Sequence, residues 1–236
     1  MFAFLPIHLI VITLFFIFRY NNQKISEYSP SKMLPLTGTI PKYVLIPLLM
    51  FIMFIIQGFS NRQQLLSKCN VDMTQTAFMT SAIVIFLIFG LIITLVESIP
   101  ILKSPFDNTF GYFLCGMNIE TVRTIINKIY IPNLRNGESN VLESIISNEA
   151  LQLNTVRPTN FQMKILPLKI PNTPNNNNIV MKYYNLVLRK DIIGTATLYI
   201  LAAALAVLIN TESMNNIKCK TTDEDIVKNL SSINLE

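Results

Sequence analysis

Apolar residues along this chain fall into blocks separated by polar stretches. Four blocks stand out: 2–18 (FAFLPIHLIVITLFFIF), closed by Arg19; 43–58 (YVLIPLLMFIMFIIQG); 77–95; and 192–209 (IIGTATLYILAAALAVLI). Each lies near the lower end of the roughly 17–25 residues a helix needs to cross a bilayer core. Pro6 and Pro47 sit inside two of them, which lipid-embedded helices tolerate when neighbours satisfy the freed carbonyls. The pattern predicts an all-α membrane protein with about four transmembrane helices. Spans this short suit a thin membrane of the endoplasmic-reticulum type.

The same pattern divides the chain. Residues 1–101 form an N-terminal membrane region with three spans (2–18, 43–58, 77–95), 102–190 an extramembrane segment, 191–210 the fourth span, and 211–236 a polar tail. Within 102–190, Ile119, Val122, Ile126 and Ile129 recur at helical spacing, as do Val141, Leu142, Ile145 and Ile146 beyond a turn, with Ser139 as N-cap. Residues 167–178 (PLKIPNTPNNNN) read as an exposed loop, and 179–189 as an amphipathic helix leading into the fourth span. Fewer than a hundred residues with two short helices make a small core, so this segment is expected to pack on the membrane surface or on a partner. The tail reads as a solvated terminus, partly helical from Asp223 to Leu230.

Composition sharpens the class. Hydrophobic residues make up 51% of the chain and charged residues 14%, against about a quarter in soluble domains, so too few charges exist to cover a water-facing surface. The first block lacks a basic leader and a small-residue cleavage site, and is expected to stay as an anchor. Arg19, Lys24, Lys32, Lys42, Lys103, Arg189 and Lys190 flank the spans on one side, and Arg62, Lys68, Lys218 and Lys220 on the other. The positive-inside rule then puts 97–191 in the cytosol and translocates both termini. The net charge of +5 is mainly an orientation signal, and without a basic stripe interleaved with aromatics no nucleic-acid partner is expected.

Chemistry is sparse. The single histidine, His8, has no second histidine to share a metal or a proton and is expected near the interface. Glu97 closes the third span, where it can reach headgroup water. No nucleophile elbow, P-loop, HExxH or paired-cysteine motif occurs, and no carboxylate lies inside a span to relay protons. The expectation is a non-enzyme with no catalytic residue, metal or cofactor. Thr195, Tyr199, Ala202 and Ala206 share one face of the fourth span, where small residues allow close helix packing. Parity of the spans puts Cys69 and Cys219 on the translocated side and Cys115 opposite. An oxidising lumen would permit a Cys69–Cys219 disulfide, the alternative being two unpaired thiols.

After the third span comes KSPFDNTFGYF. Pro105 and Gly111 bracket Asp107, Asn108 and Thr109, residues that favour tight turns. Phe106, Phe110, Tyr112 and Phe113 can lie at headgroup level. The block reads either as an interfacial turn or as a docking surface built from Pro105, Phe106, Asp107, Asn108, Thr109, Phe110, Gly111 and Tyr112, since aromatics on a fixed turn make good anchors.

Cys69, Thr76-Ala77, Phe89-Gly90, Pro100 and the run Ser104-Pro105-Phe106, Asn108-Thr109-Phe110-Gly111-Tyr112 together resemble an integral membrane protein of the virion in nucleocytoplasmic large DNA viruses, such as chloroviruses and other algal or protist viruses. Lys190-Asp191-Ile192-Ile193-Gly194 and Cys219 continue the likeness, which covers about 65–220. Asp107 stands where that family's block has serine, and Ile101-Leu102 replace its Gly-Trp. The resemblance implies a structural role, with the lipid bilayer and capsid proteins as partners and a second copy or other membrane proteins beside them. It also implies a virion internal membrane derived from host endoplasmic reticulum, with 97–191 facing the shell. Two other functions fit the composition: an accessory subunit of an organellar membrane complex, and a viroporin-like channel, for which Thr195, Thr197 and Asn210 are poor lining residues.

Overall fold

The computed structural model describes residues 5–23, 25–29, 32–35, 42–114, 124–125, 127–129, 154–165 and 173–219. Helix α1 (Leu5–Gln23) leads into an antiparallel hairpin, β1 (Ile25–Ser29) and β2 (Lys32–Pro35), in which Ser29 faces Lys32. Helix α2 (Lys42–Cys69) follows. A continuous rod then comprises α3 (Thr74–Ala82), a π-helical stretch (Ile83–Phe89) and α4 (Gly90–Ser98). Ile99 leaves helical geometry and Pro100 opens α5 (Pro100–Phe106), which runs through a π-helical turn (Asp107–Gly111) into the short α6 (Tyr112–Leu114). Helix α7 (Phe161–Ile165) precedes the 43-residue α8 (Pro174–Asn216).

Four helices are long and apolar enough to cross a membrane: α1, Val44–Cys69 of α2, the Thr74–Ser98 rod and α8. Among the described residues the protein is therefore an all-α membrane protein, with the small hairpin as its one addition. Large apolar side chains face outward along these helices, among them Leu14 (61% exposed), Phe51 (55%), Leu87 (65%), Leu91 (61%) and Leu208 (53%). In water such a girdle would be a large exposed hydrophobic patch, whereas hydrocarbon solvates it and the helices satisfy their own backbone groups.

Helix α8 is the spine. At 1.5 Å per residue it is about 65 Å long, twice the roughly 30 Å of a hydrocarbon core, so it must project from the bilayer. Within the bilayer it packs against Ile12 and Phe16 of α1, Leu49 and Met53 of α2, and Phe89 and Ile93 of the rod. Tyr199 lies at the centre, edge-on to Phe16 at 4.9 Å and stacked near Phe15 at 6.2 Å. The projecting half carries Tyr183 and Tyr184 against Phe161, at 5.4 and 5.1 Å, with Val156, Ile125 and Ile129 in the same cluster. The described parts of 102–190 thus share one core with the bundle.

Each helix overruns its expected span: α1 runs to Gln23, the rod covers Thr74–Ser98 and α8 ends at Asn216, and two further shifts are larger. The second span was expected to end at 58, yet α2 runs to Cys69 because Gln57, Gln63, Gln64, Leu65 and Leu66 are all good helix formers. It stops at Asn70, which takes the left-handed conformation (φ 56°) that asparagine tolerates. The 167–178 loop is shortened: Pro174–Asn178 begin α8, with Thr173 as N-cap accepting from Asn176 N at 3.3 Å and Pro174 in the first turn, where its missing N–H costs nothing. Of the amphipathic repeats, Ile129 is buried, as is Ile125, which the repeat did not include; Ile119, Val122, Ile126, the 139–146 helix and the 223–230 helix lie outside the described residues.

Candidate functional site

The KSPFDNTFGYF block is a π-helical knuckle clamped onto α8. A Cβ placed on Gly111 would lie 2.4 Å from the Lys190 carbonyl oxygen, and one on Gly194 would lie 2.3 Å from Asp107 Oδ1 and 2.5 Å from Asp107 Cα. Each element therefore presents a glycine where the other's backbone arrives. Lys190, expected as a solvated flanking charge, is buried at 2% exposure and donates from Nζ to Asn108 Oδ1 at 3.1 Å. The two motif blocks, 104–112 and 190–194, are some 80 residues apart in sequence and form one contact.

This geometry divides the candidate docking residues. Asp107 and Gly111 face inward and are buried, while Pro105, Thr109 and Phe110 are exposed; Phe106 and Asn108 are half-buried. Phe106 and Phe110 stack at 6.1 Å, and Phe113 projects at 81% exposure. The Tyr112 side chain lies outside the described residues. Burial, and then the neighbouring Asp191 carboxylate, pushes the Asp107 carboxyl up to about 7, against the pull of Lys103, Lys190 and Arg157. Asp107 Oδ1 accepts no hydrogen bond among the described residues.

Beside the knuckle lies a charged cluster that sequence reasoning missed. Glu97 does not reach out to headgroup water: its side chain is 8% exposed and is held from three directions. Arg19 Nη1 donates to Oε1 at 2.9 Å, Tyr199 Oη donates to the same oxygen at 2.9 Å, and Lys103 Nζ meets Oε2 at 3.3 Å. The Arg19 guanidinium also stands 5.7 Å over the Phe16 ring. One carboxylate thus ties α1, the rod, α5 and α8 together. A signal existed, because the expected topology put Arg19, Glu97 and Lys103 at span ends on one side. His8, in the first turn of α1, is fully buried within the bundle.

The opposite end of the bundle is sewn shut. Cys69 and Cys219 form a disulfide with their Cα atoms 5.2 Å apart, joining the end of α2 to the residue just past α8. Lys68 Nζ donates to the carbonyls of Met214, Asn215 and Ile217 at 3.2, 2.7 and 2.8 Å, satisfying groups that a helix C-terminus leaves open. Deeper in, Asn61 and Asn210 exchange amide hydrogen bonds of 2.9 and 2.8 Å, while Asn61 Nδ2 also donates to Ser81 Oγ at 2.8 Å and Asn61 Oδ1 accepts from Gln57 Nε2 at 3.1 Å. Arg62 and Asp72 pair at 2.8 Å across the α2–α3 turn. Hydrogen bonds from Arg62 and Thr74 hold the Asp72 carboxyl down at about 2.

Thr195, Tyr199, Ala202 and Ala206 are all buried in the contact of α8 with α1 and the rod, so this face packs within the chain. Thr195 and Thr197 turn their hydroxyls back onto the carbonyls of Asp191 and Ile193. Among the described residues no group of three His, Cys, Asp or Glu side chains gathers as metal ligands. No protein-family model, curated protein or solved structure matches the chain.

Proposed function

We propose that this chain is a structural, non-enzymatic membrane protein of a large icosahedral DNA virus, holding the internal lipid membrane to the capsid shell. The observation that carries the reading is the knuckle itself. The two blocks on which the virion-protein resemblance rests, 104–112 and 190–194, are pressed together by paired glycines at the end of the bundle with more flanking basic residues. A rigid turn there offers Thr109, Phe110 and Phe113 outward while its other side is fixed to α8. The projecting half of α8 and the segments packed on it extend the same face away from the bilayer. In this reading the outward girdle resists extraction hydrophobically, and modest contacts to the shell add by avidity over many copies.

Cross-linking of purified virions with an amine-reactive reagent tests it. Lys128, Lys164 and Lys182 are exposed on this face, whereas Lys103 is engaged by Glu97. Links from these three lysines to shell proteins are expected. Links only to lumenal or unrelated proteins, or fixed-stoichiometry recovery with an organellar complex, would overturn it.

A further inference from the structure

The cystine end of the bundle carries a consequence for the tail. Disulfides persist in oxidising compartments, and Cys69–Cys219 fixes both the α2–α3 turn and the residue beyond α8 at one end of the protein. Arg19, Lys103 and Lys190 lie at the other end, with the excess of flanking Lys and Arg that marks the cytosolic face. Two independent criteria, thiol oxidation and charge bias, therefore assign the cystine end to the translocated face. Residues 220–236 (KTTDEDIVKNLSSINLE) contain no apolar run of membrane length, so nothing between Cys219 and Asn229 can span the bilayer.

That tail contains Asn229-Leu230-Ser231, an Asn-x-Ser triplet without proline at its centre. No other asparagine in the 236 residues stands two positions before a serine or threonine. Cys219, held to the bundle by the disulfide, stands ten residues before Asn229, and a linker of that length can extend up to about 35 Å. This is ample standoff for a membrane-bound transferase.

We propose that Asn229 is the acceptor of an N-linked oligosaccharide on the lumenal face. The co-reactant is a lipid-pyrophosphate-linked oligosaccharide. Asn229 Nδ2 attacks its anomeric carbon and a C–N bond forms as the C–O bond to pyrophosphate breaks. The lipid pyrophosphate leaves with that electron pair, and one amide proton passes to the transferase. The inference rests on the orientation of the bundle and stands whether or not the protein touches a capsid.

The test is expression of the full chain in a eukaryotic cell, with gel mobility compared before and after peptide-N-glycosidase. The wild type is expected to lose the mass of one glycan, and N229Q to show no change while keeping its disulfide-dependent mobility difference. An A150S change in the N229Q background creates an acceptor at Asn148, on the other face, and is expected to stay unmodified. A wild type without a shift, a shift that persists in N229Q, or a shift of the A150S/N229Q double variant would overturn the proposal.

Discussion

Gly194 of α8 and Asp107 of the knuckle occupy one space: a side-chain carbon on the glycine would lie 2.5 Å from the aspartate's Cα. A backbone cannot swing aside as a side-chain tip can, so G194A must lift the knuckle off α8. Overpacking of this kind costs about 1–3 kcal/mol. The expected result is a thermal midpoint in detergent lowered by a few degrees. G90A is the control, because its Cβ lies 2.4 Å from the terminal methyl of Met50, a side chain that can move, and no nearer than 3.3 Å to a backbone atom, the Ile85 carbonyl oxygen. Equal losses in the two variants would count against the close approach.

The buried Asp107 carboxyl makes the knuckle pH-dependent. Its ordinary value of 3.8 is raised to about 7 in the folded protein, first by burial and then by Asp191. Below about pH 4 both folded and unfolded chains hold the proton, and its contribution is fully present. From there to about 7 the unfolded chain has released the proton while the folded one keeps it, so stability falls as pH rises. Above 7 both are ionised and the whole loss has been taken. D107N cannot ionise, so its midpoint should exceed that of the wild type by a margin that widens from pH 5 to pH 8. Parallel pH profiles would show that Asp107 titrates normally.

Glu97 neutralises two cations at once, and its partners are not equivalent. E97Q strands Arg19 and Lys103 together in a buried site, and breaking a buried pair from one side costs about 3–5 kcal/mol. K103M leaves Arg19 and Tyr199 on the carboxylate and should cost much less. Chemical unfolding in detergent gives the order wild type, K103M, E97Q; a reversed order would mean that Lys103 is the principal partner.

Asn61 and Asn210 bond reciprocally, so removing Asn61 takes both bonds from the Asn210 amide, whereas Asn61 without Asn210 keeps Ser81 and Gln57. Interhelical hydrogen bonds in membranes are worth about 0.6–2 kcal/mol. A double-mutant cycle of N61L and N210L should give a coupling energy in that range. Additive single-variant effects would show that the amides do not interact.

Much of this was legible in the sequence, and the failures are physical. The four spans showed because hydrocarbon demands long unbroken apolar runs, and span parity put Cys69 and Cys219 on one side, which permitted their disulfide without deciding it. Helix ends did not show. Gln57 to Lys68 is polar enough to resemble a loop, yet helix propensity carries α2 on until Asn70 turns left-handed. The Arg19–Glu97–Lys103 contact was hidden because a charge at a span end is ordinarily solvated, and only packing reveals that three such ends converge. Gly111 read as a turn residue and Gly194 only as part of the 190–194 block, since a glycine's role as a site of close approach depends on what arrives opposite. The hairpin after α1 lay in a loop whose short polar stretch carried no pattern strong enough to name.

Helix α8 passes through the bilayer with the knuckle and the cystine on opposite sides, and everything proposed for either end follows from that. Asn175 and Glu212 are both exposed on that single helix, 37 residues or about 55 Å apart. The direct measurement is labelling of N175C and E212C, each in a C115S background, by a membrane-impermeant maleimide in sealed, cytosolic-face-out microsomes. Labelling of N175C without detergent, and of E212C only after permeabilisation, is the predicted result. Labelling of both positions from the same side would contradict it.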